Sequence, residues 1–186
     1  AIGAVPARAD PRDALVARDG LTLHDLPQEA SVGTGSPRRA AQLLAVRPDL
    51  TIVDIRGNVD TRLGRVKGLG HYAKGGGKED LDAVVLAASG LARLGHSGTV
   101  TEFLDPSVVL PAPAQGALAV ECRTADSRHG KLAKALARID DRRTRLAATA
   151  ERAVLSHLEA GCAAPIGALA QLKPVSGSSP QVLTLD

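Results

Sequence analysis

The chain has 186 residues, a formal net charge of +3 and an apolar fraction of 44%, enough for one sizeable domain or two small ones. With one Phe, one Tyr and no Trp, it lacks the aromatic platforms on which nucleic-acid bases stack. Its two cysteines make no disulfide framework, and its five histidines lack metal-ligand spacing. No stretch is long and apolar enough to span a membrane, and no signal-peptide core opens the chain, so a cytoplasmic protein without nucleic-acid or membrane partners is expected.

In chain order, helical and strand signals alternate from Ser31 onward. Ser36 reads as the N-cap and Pro37 as the first turn of a helix that runs through Ala40, Leu43 and Leu44 and stops before Pro48. Leu50 to Ile55 is a β-branched run and reads as a strand. Gly57-Asn58 is a turn, and Val59 to Val66 a second helix. Gly68 to Asp80, with Gly75-Gly76-Gly77, reads as a flexible loop. Ala83 to Ala88 is a continuous apolar run, as in a strand buried on both faces. A short helix is expected around Leu91 to Leu94. After Pro106, Pro111 and Pro113 come a strand over Gly116 to Glu121 and a helix over Asp126 to Ile139. Asp141 to Ala160 follows as one long helix or a broken pair, and a separate β segment starts at Pro165. The alternation predicts an α/β fold with a mixed, largely parallel sheet.

Arginine far outnumbers lysine, a bias that suits bidentate grip on carboxylates or phosphates. Gly33-Thr34-Gly35-Ser36-Pro37-Arg38-Arg39 puts two arginines in the first turn of a helix, where the dipole disfavours cations by several tenths of a kcal/mol. An anion held there would offset that cost; two solvated arginines are the plainer reading. Arg56 ends a strand and Arg62 lies one helical turn later, while Arg93 follows the next strand. Ligands of open α/β sheets bind beyond such carboxyl ends.

Cys162, in Gly161-Cys162-Ala163-Ala164-Pro165, follows a helix-stopping glycine among small residues. Alone it reads as a buried apolar residue or as a nucleophile. Cys122 reads as buried, His157 as a surface residue, and Lys74 to Lys78 as a loop without Walker spacing.

Together these segments resemble the porphobilinogen deaminase (hydroxymethylbilane synthase) family. The resemblance rests on Asp10-Pro11-Arg12-Asp13-Ala14, Gly33-Thr34 with Ser36 and Arg38-Arg39, and Arg56-Gly57-Asn58-Val59 with Thr61-Arg62-Leu63. It continues through Gly90-Leu91 with Arg93-Leu94-Gly95, Gln115-Gly116-Ala117 with Glu121-Cys122-Arg123, and Glu151-Arg152-Ala153 leading to Gly161-Cys162 and Pro165-Ile166-Gly167. It implies a monomeric transferase that condenses four porphobilinogen molecules into a linear tetrapyrrole, with release of ammonia, in porphyrin and heme biosynthesis. A dipyrromethane cofactor would be joined by a thioether to Cys162. Thr34, Ser36, Arg38 and Arg39 would bind that cofactor, and Arg56, Arg62 and Arg93 the substrate.

The resemblance also implies a division into 1–9 (end of a first domain and hinge), 10–110 (a lobe like those of periplasmic binding proteins, with the arginine cleft), 111–138 (hinge and returning strand and helix) and 139–186 (part of a small α+β C-terminal domain). No residue matches the family's catalytic aspartate, which follows a lysine, and neither Asp10 nor Asp13 is assigned to that post. The chain, opening on Ala1 rather than Met, is expected to be the middle and rear of such an enzyme and inactive alone. The loop from Val66 to Glu79 is longer than the family's connection, and Gly35 and Pro37 stand where larger or more polar residues are usual. The alternatives are a non-catalytic anion-binding module derived from the enzyme and, less favoured by composition, a basic nucleic-acid-binding protein.

Overall fold

The computed structural model describes residues 1–127, 129–159, 164–174 and 181–185. Its centre is a five-stranded sheet built from β2 (Asp13–Ala17), β3 (Ser31–Gly33), β4 (Thr51–Val53), β5 (Ala83–Ala87) and β6 (Glu102–Phe103), in the order β4-β3-β5-β2-β6. β3 runs parallel to β4 and β5, whereas β2 pairs antiparallel with β5 and β6. The sheet is therefore mixed, as expected, but partly rather than largely parallel, with its parallel pairs on one side and its antiparallel pairs on the other.

Strand alternation explains the layering. Leu15, Ala17, Val32, Ala83 and Val85 face one way and pack on Leu43 of α1 (Pro37–Val46). Ala14, Val16, Val84 and Leu86 face the other way and pack on Leu63 of α2 (Val59–Leu63) and Leu91 of α3 (Ala88–Arg93). Both clusters consist of aliphatic side chains that are almost wholly buried, so the core forms without aromatic bulk.

Two further pieces flank this lobe. β1 (Ile2–Ala4) pairs antiparallel with β7 (Val120–Glu121), and α4 (Gly130–Ile139) packs on β1. The long α5 (Arg142–His157), capped by the Asp141 carboxylate on the Thr144 amide, packs against a hairpin of β8 (Ala170–Pro174) and β9 (Gln181–Leu185). Among the described residues no helix is long and apolar enough to cross a membrane.

Several boundaries differ from expectation. α2 ends at Leu63 rather than Val66, because Gly64 caps it and Val66 makes a bridge to Leu81 instead. α4 starts at Gly130 after a short 3-10 turn over Thr124–Ser127, so the helix expected from Asp126 is shorter. β7 holds only Val120 and Glu121 of the expected Gly116 to Glu121. β2 and β3 are unexpected: the sequence pattern gives no strand at Asp13–Ala17 or Ser31–Gly33, yet both strands sit inside the sheet.

Candidate functional site

The carboxyl ends of β3 and β4 and the N-terminus of α1 meet at one end of the sheet. There the Ser36 hydroxyl oxygen accepts a long 3.5 Å hydrogen bond from the Arg39 amide, and the Thr34 hydroxyl oxygen accepts one from the Ser36 amide. Thr34 is buried. A Cβ on Gly35 would stand 2.7 Å from the Ile55 carbonyl oxygen, so the turn into α1 closes too tightly for any side chain there.

Arg38 and Arg39 are not solvated. Their side chains are 4% and 11% exposed, and both reach Asp13, which is fully buried at the start of β2. Arg38 Nη2 donates to Asp13 Oδ2 at 2.8 Å and Nη1 donates to the Leu110 carbonyl. Arg39 donates from Nε and Nη2 to Asp13 Oδ1, and from Nη1 to the Val85 carbonyl. Gln115 adds an amide donor to the same Asp13 oxygen, and Gln42 bridges the Arg38 and Leu110 carbonyls. The anion that the helix terminus calls for is thus supplied first from within, by one carboxylate shared between two guanidinium groups. That pairing leaves one net positive charge. Burial pushes the Arg38 guanidinium below its ordinary range, with Asp13 working in the opposite direction.

Two cavities open beside this network. The larger, about 580 Å³, is lined by Ser36, Arg38 and Arg56 on one side and by Leu155, Ala164 and Ile166 on the other. The smaller, about 310 Å³, is lined by Arg39, Asn58, Arg62 and Ala87. Arg62 donates from Nε to the Gly57 carbonyl, and its guanidinium is destabilised by burial and by the neighbouring charges of Arg39 and Arg56. Arg56 is exposed and carries only a 3.3 Å contact to exposed Asp54, a pairing that screens little. Positive charge therefore converges where Arg39, Arg56 and Arg62 meet.

The structure brings together Thr34, Ser36, Arg38, Arg39, Arg56 and Arg62. Arg93, exposed at the end of α3, lines neither cavity. Cys162 lies outside the described residues, although Ala164, two positions on, lines the larger cavity. Cys122 is half-buried and His157 exposed. Among the described residues no cluster of His, Cys, Asp and Glu could hold a metal ion.

Asp13 and Gln115 hold these arginines in place, and the sequence pattern alone does not single them out for that role. The available signal was a carboxylate opening an apolar β run, two helical arginines short of a counter-ion. Both Asp10 and Asp13 are engaged by arginine. Asp10 accepts three hydrogen bonds from the Arg12 side chain and one from its backbone amide, and the Arg12 guanidinium holds its carboxyl below the ordinary range. Both Asp13 oxygens are occupied.

Comparison with known proteins gives a consistent result. Residues 1–131 match the family model described as porphobilinogen deaminase, dipyromethane cofactor binding domain, and residues 145–186 match that for the porphobilinogen deaminase C-terminal domain. A porphobilinogen deaminase of Cutibacterium acnes is 97% identical over the whole chain, which covers 56% of that relative. Those of Micrococcus luteus and Mycobacterium avium are 55% and 59% identical over 97% and 92% of this chain, covering 53% and 50% of each relative. The chain spans about half the length of the curated relatives it matches.

Proposed function

The chain belongs to the porphobilinogen deaminase family, and from that premise we propose that the full-length protein condenses four porphobilinogen molecules into hydroxymethylbilane, releasing ammonia, on a dipyrromethane held through Cys162. The observation that carries this reading is the convergence of Arg39, Arg56 and Arg62 beside two cavities, with only part of the charge met from within. Pyrroles bearing acetate and propionate arms supply the missing carboxylates. The donor set fits such a group. After their bonds to Asp13, Leu110 and Val85, Arg38 and Arg39 each keep unspent N–H donors, since a guanidinium carries five.

When bound, the dipyrromethane supplies the primer ring to which incoming units are joined. The chain's own residues do the holding. Ser36 and Arg38 line the larger cavity beside Ala164, close in sequence to Cys162, while Arg39 and Arg62 line the smaller one, where a second carboxylate-bearing ring is bound. A thioether at Cys162 keeps the growing polyanion from diffusing away. Arg93 lines neither cavity, and its role toward the substrate rests on the resemblance alone. Asp10 is engaged by Arg12, and Asp13 by Arg38, Arg39 and Gln115, so neither is assigned the donation of a proton to the leaving amine.

The same proposal takes residues 10–110 as the lobe bearing the arginines, flanked by 1–9 and 111–138 as hinge and returning strand and helix. It takes 139–186 as the unit that carries Cys162, within a cytoplasmic monomer that acts on a small molecule. Intact-mass measurement tests the proposal. A dipyrromethane-sized increment that disappears in Cys162→Ala supports it. An unmodified full-length protein that consumes no porphobilinogen overturns it.

A further inference from the structure

The glycine-rich segment between α2 and β5 is folded rather than free. The Glu79 carboxylate accepts the amides of Gly68 and Gly70, the Gly77 amide donates to the Gly70 carbonyl, and Arg65 pairs with Asp80. Its centre lies directly on Gly64, the residue that ends α2. A Cβ on Gly64 would stand 2.5 Å from that of Ala73, and a Cβ on Gly77 would collide with the Gly64 carbonyl. From the same segment Tyr72 sets its ring 5.1 Å from His96 in an edge-on contact at 85°. His96 Nε2 lies 2.7 Å from Asp60 Oδ1 on α2, and its backbone amide is bound to Leu91 of α3. The ring of His71 lies 4.4 Å from that of Tyr72, tilted by 38°.

These contacts matter because α2 has only five residues, too few to hold a helical shape without tertiary support. Arg62 sits on this short helix. Two aliphatic side chains, Val59 and Leu63, anchor one face of α2 to the core. The glycine-rich segment closes its C-terminal end, and Asp60 ties it to the turn after α3.

We propose that residues 67–80 form a brace that positions Arg62, with Tyr72 as a positioning residue acting through His96 and Asp60. The inference rests on the proposed function for its substrate, but not for its structural part. The Tyr72–His96 contact is made between the rings, and Tyr72 makes no hydrogen bond through its hydroxyl among the described residues. Tyr72→Phe should therefore preserve the brace, and Tyr72→Ala should not.

The test uses the full-length protein and two readouts. Hydrogen exchange of the Arg62 and Gly64 amides, bonded to the Asn58 and Asp60 carbonyls, should quicken roughly tenfold in Tyr72→Ala and stay as in the wild type in Tyr72→Phe. The KM for porphobilinogen should rise by roughly tenfold in Tyr72→Ala, with kcat changed by less than about twofold. Tyr72→Leu gives the same comparison should Tyr72→Ala not accumulate. Unchanged exchange overturns the brace, and faster exchange with an unchanged KM overturns its role in positioning Arg62. Should the wild type consume no porphobilinogen, the proposed function falls, and exchange alone still decides for or against the brace.

Discussion

Asp13 shows how a single residue can settle what a charge pattern leaves open. Two arginines in the first turn of a helix read equally as solvated cations or as a grip on a ligand, because sequence gives no distance to a counter-ion 25 residues earlier. The fold supplies it: Asp13, at 0% exposure, accepts from both guanidinium groups. Asp13→Ala would leave two buried cations unpaired, and a loss of about 3–5 kcal/mol is expected in chemical denaturation; a loss under about 1 kcal/mol would show the pairing to be dispensable. Asp82 gives a second residue-scale outcome. Burial works against its ionisation, but Lys67, the Ser31 amide, Arg18 and the Ser31 hydroxyl hold its carboxyl far below the ordinary range. A lowered folded pKa adds stability above the unfolded carboxylate value of about 4, and that stability is lost as pH falls below it. Thermal unfolding of the wild type and Asp82→Asn should therefore differ at neutral pH and converge in acid; a gap that stays constant down to about pH 2 would contradict the linkage.

Elements whose reasons are local were legible. α1 was read from Ser36 and Pro37 at its start and Pro48 beyond its end, and the structure places it at Pro37–Val46. The apolar run of β5 was read within one residue. What escaped were elements whose reasons are tertiary. β2 opens on Asp13, a residue depleted from strands, and pairs between β5 and β6 because its carboxylate is satisfied from α1. The glycine-rich segment reads as flexible from composition, yet it is ordered by its approach to Gly64. The resemblance singles out Arg38, Arg39, Arg56 and Arg62, which the fold gathers beside the two cavities, and Arg93, which it does not; the internal counter-ion of Arg38 and Arg39 is visible only in the fold. At this scale the N-cap of α1 separates stability from ligand binding. Ser36→Ala should cost about 0.5–1 kcal/mol, given the long bond to the Arg39 amide. Ser36→Asp still caps the helix but places a negative charge where the proposed anionic ligand would bind. It should keep the wild-type melting temperature while lowering the fraction of protein that carries the dipyrromethane increment on intact mass. Full loading would remove Ser36 from the site.

Across the whole molecule one fully buried side chain gathers separate parts of the chain. Glu151 on α5 accepts both terminal nitrogens of Arg8, at 2.6 and 2.9 Å, together with the amides of Ala114 and Ala170. It thereby joins the N-terminal segment, the proline-rich crossing and β8. Arg8 also donates to the Gln115 carbonyl, and Gln115 donates to Asp13, so the junction is continuous with the arginines of the cleft. Cys162 falls in sequence between α5 and β8, the two elements that Glu151 ties together. A neutral amide in its place would turn one acceptor into a donor aimed at other donors. Glu151→Gln should therefore cost about 3–5 kcal/mol if the junction unfolds together with the rest. It should speed exchange first at the Ala114 and Ala170 amides, ahead of Leu15 and Val85 in the central sheet. Simultaneous loss of protection at all four amides would mean that the junction and the lobe form one cooperative unit. Unchanged protection at Ala170 would mean that β8 is held by its pairing with β9 and its packing on α5 rather than by Glu151.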